Sequence, residues 1–298
     1  MNPNPFLRKL GFSATDRVVI LHADDIGMCH SSQVAYEDLI DYGLLSSAAT
    51  MVPCGWFPAT AAYCRANGDN PRMDMGVHLT VTCEWDTPRW GPVSGRDPAT
   101  GLMDDEGYFF RRAAPVQAGA DGAAVVAELR AQVQQALAAG VNVTHVDSHM
   151  FALAHPHLLP AYLQVAQEFG LPAFLPNLNE AQLRRMDYDE RSAAILAGLV
   201  VRVGEAGLPL FDYVNVLSLD DAEDRLGQMK QALAEAPIGL SNIIIHPCVD
   251  TPEIRAIAPD WRCRVADHAL FTNAGLRQAL DEAGVQVIGF RALRDAMR

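Results

Sequence analysis

Basic residues are scarce in this sequence. Lysine and arginine together number 23 against 36 aspartates and glutamates, which gives the 298 residues a formal net charge of -13 at pH 7. Such a chain repels the phosphate backbone of a nucleic acid and the surface of an anionic membrane, so neither is expected as its partner. The charge is compatible with a neutral or cationic small molecule, and equally with an ordinary soluble protein.

Cysteine pairs and long apolar runs are also missing. None of the six cysteines occurs in a Cys-x-x-Cys pair, which in a chain of this size favours buried, reduced thiols over disulfides or a zinc ribbon. No apolar stretch is long enough to cross a bilayer, and no apolar run of signal-peptide length follows Arg8 and Lys9. We therefore expect a cytoplasmic protein.

Several active-site signatures are absent as well. The sequence contains no Gly-x-Ser-x-Gly, no Gly-x-Gly-x-x-Gly and no phosphate-binding loop, so it gives no sign of a serine hydrolase elbow, a dinucleotide site or a P-loop nucleotidase. It also lacks internal repeats and low-complexity segments. One domain over residues 1–298 is therefore the expected organisation.

Short apolar runs of strand length alternate with segments of helical periodicity. Strands are predicted at residues 18–23, 47–52, 75–81, 143–147, 172–175, 210–214, 243–246 and 285–288. Helices are predicted at 32–41, 58–66, 121–139, 156–169, 190–203 and 221–234. This alternation predicts an α/β fold with a mostly parallel sheet, and seven or eight units favour a (β/α) barrel. Residues 83–119 interrupt the alternation and are predicted to form an insertion above the barrel, of the kind that often serves as a lid.

Ionisable side chains gather where the predicted strands end. The Asp24-Asp25 pair, His78, the run His145-Val146-Asp147-Ser148-His149, and His246 all occupy such positions. The C-terminal ends of parallel strands share one face of an α/β protein, and ligands bind at that face. We therefore expect these side chains to meet around one metal ion.

Asp24 and Asp25 cannot serve the same purpose, because neighbouring side chains at a strand end point in different directions. One of them could bind a metal ion while the other faces the substrate as a base. The alternative is that the pair caps the helix beginning near Ser31, where acidic residues are common.

His145, Asp147 and His149 would line one face if their strand continued, and burying them without a metal ion or a hydrogen-bond network would be costly. Taken alone, His78 fits a core histidine, and His246 fits a turn residue. Two histidines and a carboxylate suit a catalytic divalent ion, which polarises a carbonyl and activates a bound water. With an aspartate as base and a histidine as acid, the set predicts hydrolysis of an amide or ester by metal-bound water.

Four motifs occur in order and together resemble one family: His22-Ala23-Asp24-Asp25-Ile26-Gly27, Gly76-Val77-His78-Leu79-Thr80, Thr144-His145-Val146-Asp147-Ser148-His149 and His246-Pro247. They resemble the YdjC-like carbohydrate deacetylases, which include the chitooligosaccharide deacetylases. The resemblance implies a distorted (β/α) barrel, as in the glycoside hydrolase/deacetylase superfamily. It also implies a homodimer that removes acetyl groups from N-acetylated sugars with a divalent metal ion, with magnesium or zinc expected.

The resemblance assigns a role to each motif residue. Asp25, His78 and His149 would hold the metal ion. Asp24 would be the general base and His246 the general acid. Asp147 and His145 would lie close by, orienting the ligands or contacting the substrate.

Three further residues complete the expected site. Arg264, in Arg264-Val265-Ala266-Asp267, resembles the family's Arg-x-x-Glu and is expected to pair with Asp24 and keep it ionised; a surface salt bridge is the alternative. Trp85 and Trp90 lie in the insertion, where they could stack on a sugar or anchor the lid.

The chain also departs from the family pattern. Met150-Phe151 follow the Asp-Ser-His motif where many relatives have further histidines, Cys248 replaces a glycine, and Ile26 replaces a phenylalanine. These changes concern the substrate pocket, so specificity for chitobiose is not assumed. Two other functions remain open: a metal-dependent phosphoesterase, because paired aspartates also suit Mg²⁺, and a sugar-binding protein without turnover.

Overall fold

A parallel β-sheet organises the computed structural model, which describes residues 4–298. Within those residues there are seven strands: β1 (Arg17–Ile26), β2 (Ser47–Thr50), β3 (Met75–Leu79), β4 (Val143–Ser148), β5 (Tyr213–Val216), β6 (Gly239–Ile245) and β7 (Gln286–Val287). The order is β4-β3-β2-β1-β6-β5, and the short β7 also pairs with β1. Every pairing is parallel, as the alternation of strands and helices predicts.

Helices surround the sheet. They are α1 (Phe6–Lys9), α2 (His30–Tyr42), α3 (Phe57–Ala66), α4 (Ala113–Gly119), α5 (Gly122–Ala138), α6 (Leu159–Glu168), α7 (Glu180–Arg185), α8 (Glu190–Glu205), α9 (Arg225–Glu235), α10 (Pro252–Ile257), α11 (Trp261–Phe271), α12 (Ala274–Ala283) and α13 (Phe290–Met297). The six predicted helices correspond to α2, α3, α5, α6, α8 and α9. In the part of the chain that the structure describes, no helix has the length and apolarity needed to span a membrane.

The wall between β4 and β5 differs from the prediction. Residues 172–175 form no strand within the described chain. Ala173 makes an isolated bridge to Val146, and the adjacent Pro176 makes one to Phe211. The amide of Val146 donates to Pro172 O (3.0 Å), and that of Phe211 donates to Leu175 O (3.0 Å). Prolines bracket the segment and remove amide donors, which explains why no ladder forms.

These bridges close the sheet into a ring. The amide of Asp212 donates to Leu240 O (2.8 Å), so the ring continues from the bridging segment to β6. The expected α/β fold, a distorted barrel of mostly parallel strands, is confirmed, with seven strands. The predicted closing strand at 285–288 is reduced to β7, which pairs with Val18 and Val19 of β1.

The strand period of two separates the core into an inner and an outer part. Val18 and Ile20 pack with residues from other sides of the ring and from α13: Phe174, Phe211, Leu240, Ile244, Phe290 and Leu293. Because these residues come from opposite walls and contact one another, they fill the barrel interior. Val19 and Leu21 face the surrounding helices in the larger outer cluster. The same alternation directs His22 and Asp24 into the barrel above this apolar floor.

The predicted insertion, residues 83–119, is fastened to the barrel by a buried carboxylate. Glu128 on α5 is fully buried and accepts hydrogen bonds from Val93 N (3.1 Å), Ser94 N (2.8 Å) and Ser94 Oγ (2.6 Å). Arg89 binds Asp104 (2.6 Å) within the insertion. Fixed contacts of this kind hold irregular backbone in one place above the strand ends.

Gly76 on β3 makes room for His145. The imidazole of His145 stacks on Phe290 with ring centroids 3.8 Å apart, and a Cβ at position 76 would overlap that ring. We expect Gly76→Ala to reduce the free energy of unfolding by about 1–3 kcal/mol, because the stacked ring cannot move away. Urea unfolding measures the change.

The matched control is Gly198→Ala on α8, where nothing lies within 4 Å of the added Cβ. This variant should be as stable as the parent or gain about 0.5–1 kcal/mol from helix propensity. A Gly76→Ala protein with parental stability would contradict the packing of His145 on Phe290.

Candidate metal centre and active site

A distortion at the end of β1 separates the two aspartates. Asp25 has a left-handed backbone with φ 62°, and the register between β1 and β2 shifts between Ala23 and Ile26. Aspartate tolerates this conformation better than most residues, and strand irregularities commonly redirect side chains near active sites. Asp24 therefore continues the inward series of β1, whereas Asp25 turns toward β3 and β4.

Asp25, His78 and His149 come together as expected. One donor atom of each lies within 4.8 Å of the other two, and all three residues are buried. Oδ1 of Asp25 is 3.5 Å from Nε2 of His78 and 3.2 Å from Nδ1 of His149. The three residues come from β1, from β3 and from the turn after β4, so it is the parallel sheet that brings them together.

Each of these side chains is held by its other polar atom. Nδ1 of His78 is 2.7 Å from Oδ1 of Asp147, and Nε2 of His149 is 2.7 Å from Oε2 of Glu84. Arg264 Nη1 donates to Oδ2 of Asp25 at 2.8 Å. One nitrogen of each ring and one oxygen of Asp25 are therefore left to face the common centre.

The donor set fits a divalent cation. Among the described residues, the buried Oδ1 of Asp25 has no hydrogen-bond partner, as expected for an oxygen reserved for an ion. One carboxylate oxygen and two imidazole nitrogens, the rings backed by carboxylates, form the arrangement usual for zinc and similar ions.

Two other groups in the interior have the composition of a metal site: His22-His145-Asp147 and Asp24-His78-Asp147. In both, donor atoms already contact one another at hydrogen-bond distance: His22 Nε2 lies 2.9 Å from both Asp24 Oδ1 and Asp147 Oδ2, and His78 Nδ1 lies 2.7 Å from Asp147 Oδ1. Asp25 Oδ1, by contrast, lies 3.2 Å and 3.5 Å from its two imidazole neighbours. We therefore interpret these groups as the hydrogen-bond network beneath the Asp25 centre.

The charges around the imidazoles favour a positive centre. Burial lowers the pKa of His149, but the carboxylates of Glu84 and Asp25 outweigh burial and raise the pKa to about 9. His78 is likewise buried, and Asp147 and Asp24 hold its pKa well above the usual value. Burial raises the pKa of Asp25, yet Arg264 outweighs it and keeps that pKa well below the usual range. A cation bound here would therefore displace protons.

Asp24 and His246 face each other beside this centre. Oδ2 of Asp24 is 3.9 Å from Nε2 of His246, which follows β6 directly. The backbone amide of His246 donates to Oδ2 of the buried Asp267 (2.9 Å), which fixes the turn that presents the ring. Burial lowers the pKa of His246. A carboxylate and an imidazole are thus available next to the three candidate metal ligands.

The predicted partner of Arg264 is wrong. Its guanidinium binds Asp25 and, through Nε, Asp260 (2.9 Å), not Asp24. The left-handed backbone at Asp25 turns that carboxylate toward α11, where Arg264 is buried, while Asp24 faces the barrel interior. Arg264 therefore supports a candidate metal ligand.

The remaining predicted residues take different positions. Asp147 contacts His78 directly. His145 lies beneath Asp147, toward Phe290, and its Nε2 is 3.7 Å from Asp147 Oδ2. Trp90 is buried and its indole donates to Thr82 O (2.8 Å), so it anchors the insertion. Trp85 is half-buried and packs edge-on against Trp90. The guanidinium carbon of Arg264 lies 5.4 Å from the centroid of the Trp85 ring.

Sequence reasoning missed two residues that contact the candidate site. His22 bridges Asp24 and Asp147, and its position two residues before Asp24 on the same strand face was the available signal. Glu84 binds His149 from the start of the insertion, where no periodicity marks a direction for the side chain.

The chain is similar to several known proteins and to one protein family. The family model described as YdjC-like protein matches residues 18–282. A carbohydrate deacetylase from Thermus thermophilus is 31% identical over 300 residues, covering 98% of each chain. A carbohydrate deacetylase from Brevibacillus brevis is 27% identical over 275 residues, covering 92% of this chain and 99% of the relative.

A solved structure shows the same fold. It is a proposed cellobiose-phosphate cleavage protein from Enterococcus faecalis V583, with a TM-score of 0.72 and 18% identity. The match covers 93% of this chain and 99% of that protein. The family match over most of the sequence, together with the 31% identity across the full length of a relative, shows that this chain belongs to the YdjC-like family.

Proposed function

We propose that this chain is a metal-dependent carbohydrate deacetylase, a single catalytic domain that hydrolyses the acetamide group of a small N-acetylated sugar. The names of the relatives support the deacetylase activity. One observation carries the metal dependence: Asp25, His78 and His149 each present one donor atom to a common centre while their other polar atoms are occupied.

Asp25, His78 and His149 would hold the ion. A divalent cation there, with magnesium and zinc the expected choices, would supply Lewis acidity that polarises the acetyl carbonyl and acidifies a bound water. Arg264 keeps Asp25 ionised, and the carboxylates of Asp147 and Glu84 direct the imidazole lone pairs inward.

The proton transfers fall to Asp24 and His246. Asp24 is only 9% exposed, and His22 holds its Oδ1, so Oδ2 is the atom available to accept a proton from the attacking water. His246 Nε2 lies 3.9 Å from that oxygen and would donate a proton to the departing sugar amine. The interior placement of both groups limits access of bulk water.

Removing the ion should abolish turnover. We expect acetate release from N-acetylated sugars to stop in chelator and to return when a divalent ion is added. Asp25→Asn, which keeps the size of the side chain and suits the left-handed backbone, should lower kcat/KM by more than about 100-fold. Acetate is measured by a coupled assay, with Asp41→Asn, an exposed acid on α2, as the matched control. Chelator-resistant turnover, or phosphate release from phosphate esters without acetate release, would contradict the proposal.

Asp24→Asn and His246→Gln should separate proton transfer from ion binding. We expect each to lower kcat by about 100- to 10,000-fold, because a positioned acid or base contributes that much. The metal content of the purified variants, measured by elemental analysis, should equal that of the parent. Variants that lose the ion together with activity would show that these residues act as ligands.

Ion binding should release protons. Since the pKa of His149 is about 9 without an ion, its proton must leave before Nδ1 can bind, so affinity should rise with pH until that value is passed. Each unit of pH below it should weaken binding about tenfold for each proton displaced. Calorimetry in buffers of different ionisation enthalpy counts the protons, and pH-independent affinity in this range would contradict the protonated state of His149.

A further inference from the structure

Glu84 occupies an unusual place, since it contacts the candidate metal centre from outside the barrel strands. It follows β3 by five residues and begins the irregular insertion. Its Oε2 is 2.7 Å from Nε2 of His149, while Nδ1 of the same ring lies 3.2 Å from Asp25 Oδ1. The carboxylate and the candidate ligand therefore contact opposite nitrogens of one imidazole.

We propose that Glu84 is a positioning residue of the metal centre, which holds the His149 ring so that Nδ1 faces Asp25 and His78. The inference rests on the proposed function, because it assigns Glu84 a role toward the ion that those residues would bind. A neutral imidazole carries one N–H. A carboxylate that accepts the Nε2–H leaves the lone pair on Nδ1, directed at the centre.

The geometry parallels the support of His78. Asp147 binds Nδ1 of His78 at 2.7 Å, so each candidate imidazole ligand has one carboxylate at its outer nitrogen. The two carboxylates differ in origin, because Asp147 belongs to β4 and Glu84 belongs to the insertion. The insertion therefore contributes a carboxylate to the surroundings of the centre.

The backbone around Glu84 is fixed well enough for this task. The amide of Cys83 donates to Phe110 O (2.9 Å), and the Trp90 indole donates to Thr82 O (2.8 Å). Trp90 also packs edge-on near the His149 ring, with centroids 6.4 Å apart. These contacts fix the backbone that carries Glu84 beside His149.

Glu84 is placed to act as a hydrogen-bond acceptor. Its side chain is 22% exposed, compared with 7% for His149. A carboxylate that is partly shielded from water in this way is a strong acceptor for an imidazole N–H.

The test is ion affinity rather than turnover. The metal-free full-length protein is titrated with Co²⁺ and with Zn²⁺ against a chromophoric chelator at several pH values, so that the protons displaced from the histidines are counted for each variant. We expect Glu84→Ala to weaken Co²⁺ binding about 10- to 100-fold and to change the visible Co²⁺ spectrum. Glu84→Gln keeps an acceptor oxygen without the charge, so its affinity should lie between those of the parent and Glu84→Ala.

The matched controls are Glu106→Ala and Glu106→Gln. Glu106 lies in the same insertion, its side chain is 70% exposed, and its carboxylate binds Arg89 (2.8 Å) away from the centre. Both controls should keep parental affinity and spectrum. Melting temperatures recorded on the metal-free variants identify any general loss of stability, and Glu84→Gln carries the comparison if Glu84→Ala does not fold.

The outcomes separate this inference from the proposed function. The positioning role alone would be overturned if both Glu84 variants kept a Co²⁺ affinity within about twofold of the parent and an unchanged spectrum. In that case Asp25→Asn would still lose the ion. A parent protein that binds neither ion would overturn both. A lower melting temperature without any change in affinity or spectrum would assign Glu84 to folding and contradict its positioning role.

Discussion

The approach of one carboxylate to two imidazoles inside a parallel barrel is the interaction on which the rest of the site depends. Asp25, His78 and His149 lie on three separate segments, and nothing local to any of them favours burial of an ionisable group. The group is tolerated because the outward-facing polar atom of each residue has a hydrogen-bond partner. Asp147 binds His78, Glu84 binds His149, and Arg264 binds Asp25. What remains directed inward is a concentrated set of ligand atoms.

Topology made much of this arrangement predictable from sequence. Polar residues at the ends of apolar strands must share one face of a parallel sheet, so Asp24, Asp25, His78 and His246 could be placed together without coordinates. The same reasoning gave the barrel and the six helices whose apolar periodicity is regular.

Irregular backbone accounts for what the sequence could not predict. The left-handed conformation at Asp25 changed the partner of Arg264, and prolines reduced the predicted strand at 172–175 to bridges. Glu84 lies in a segment without periodicity, so its direction depended on distant anchors such as Glu128. Helix α11 was missed because it buries polar side chains, Arg264 and Asp267, and so lacks a regular apolar stripe.

The raised pKa values of His149 and His78 bear on how an ion would bind at this centre. In small zinc domains the empty ligands repel or scatter, and the polypeptide folds only around the ion. Here the carboxylates of Glu84, Asp25 and Asp147 outweigh burial and raise the pKa values of His149 and His78, and imidazolium groups balance their negative charge. The ion that we propose for this site would therefore exchange with protons inside an assembled barrel rather than nucleate its folding.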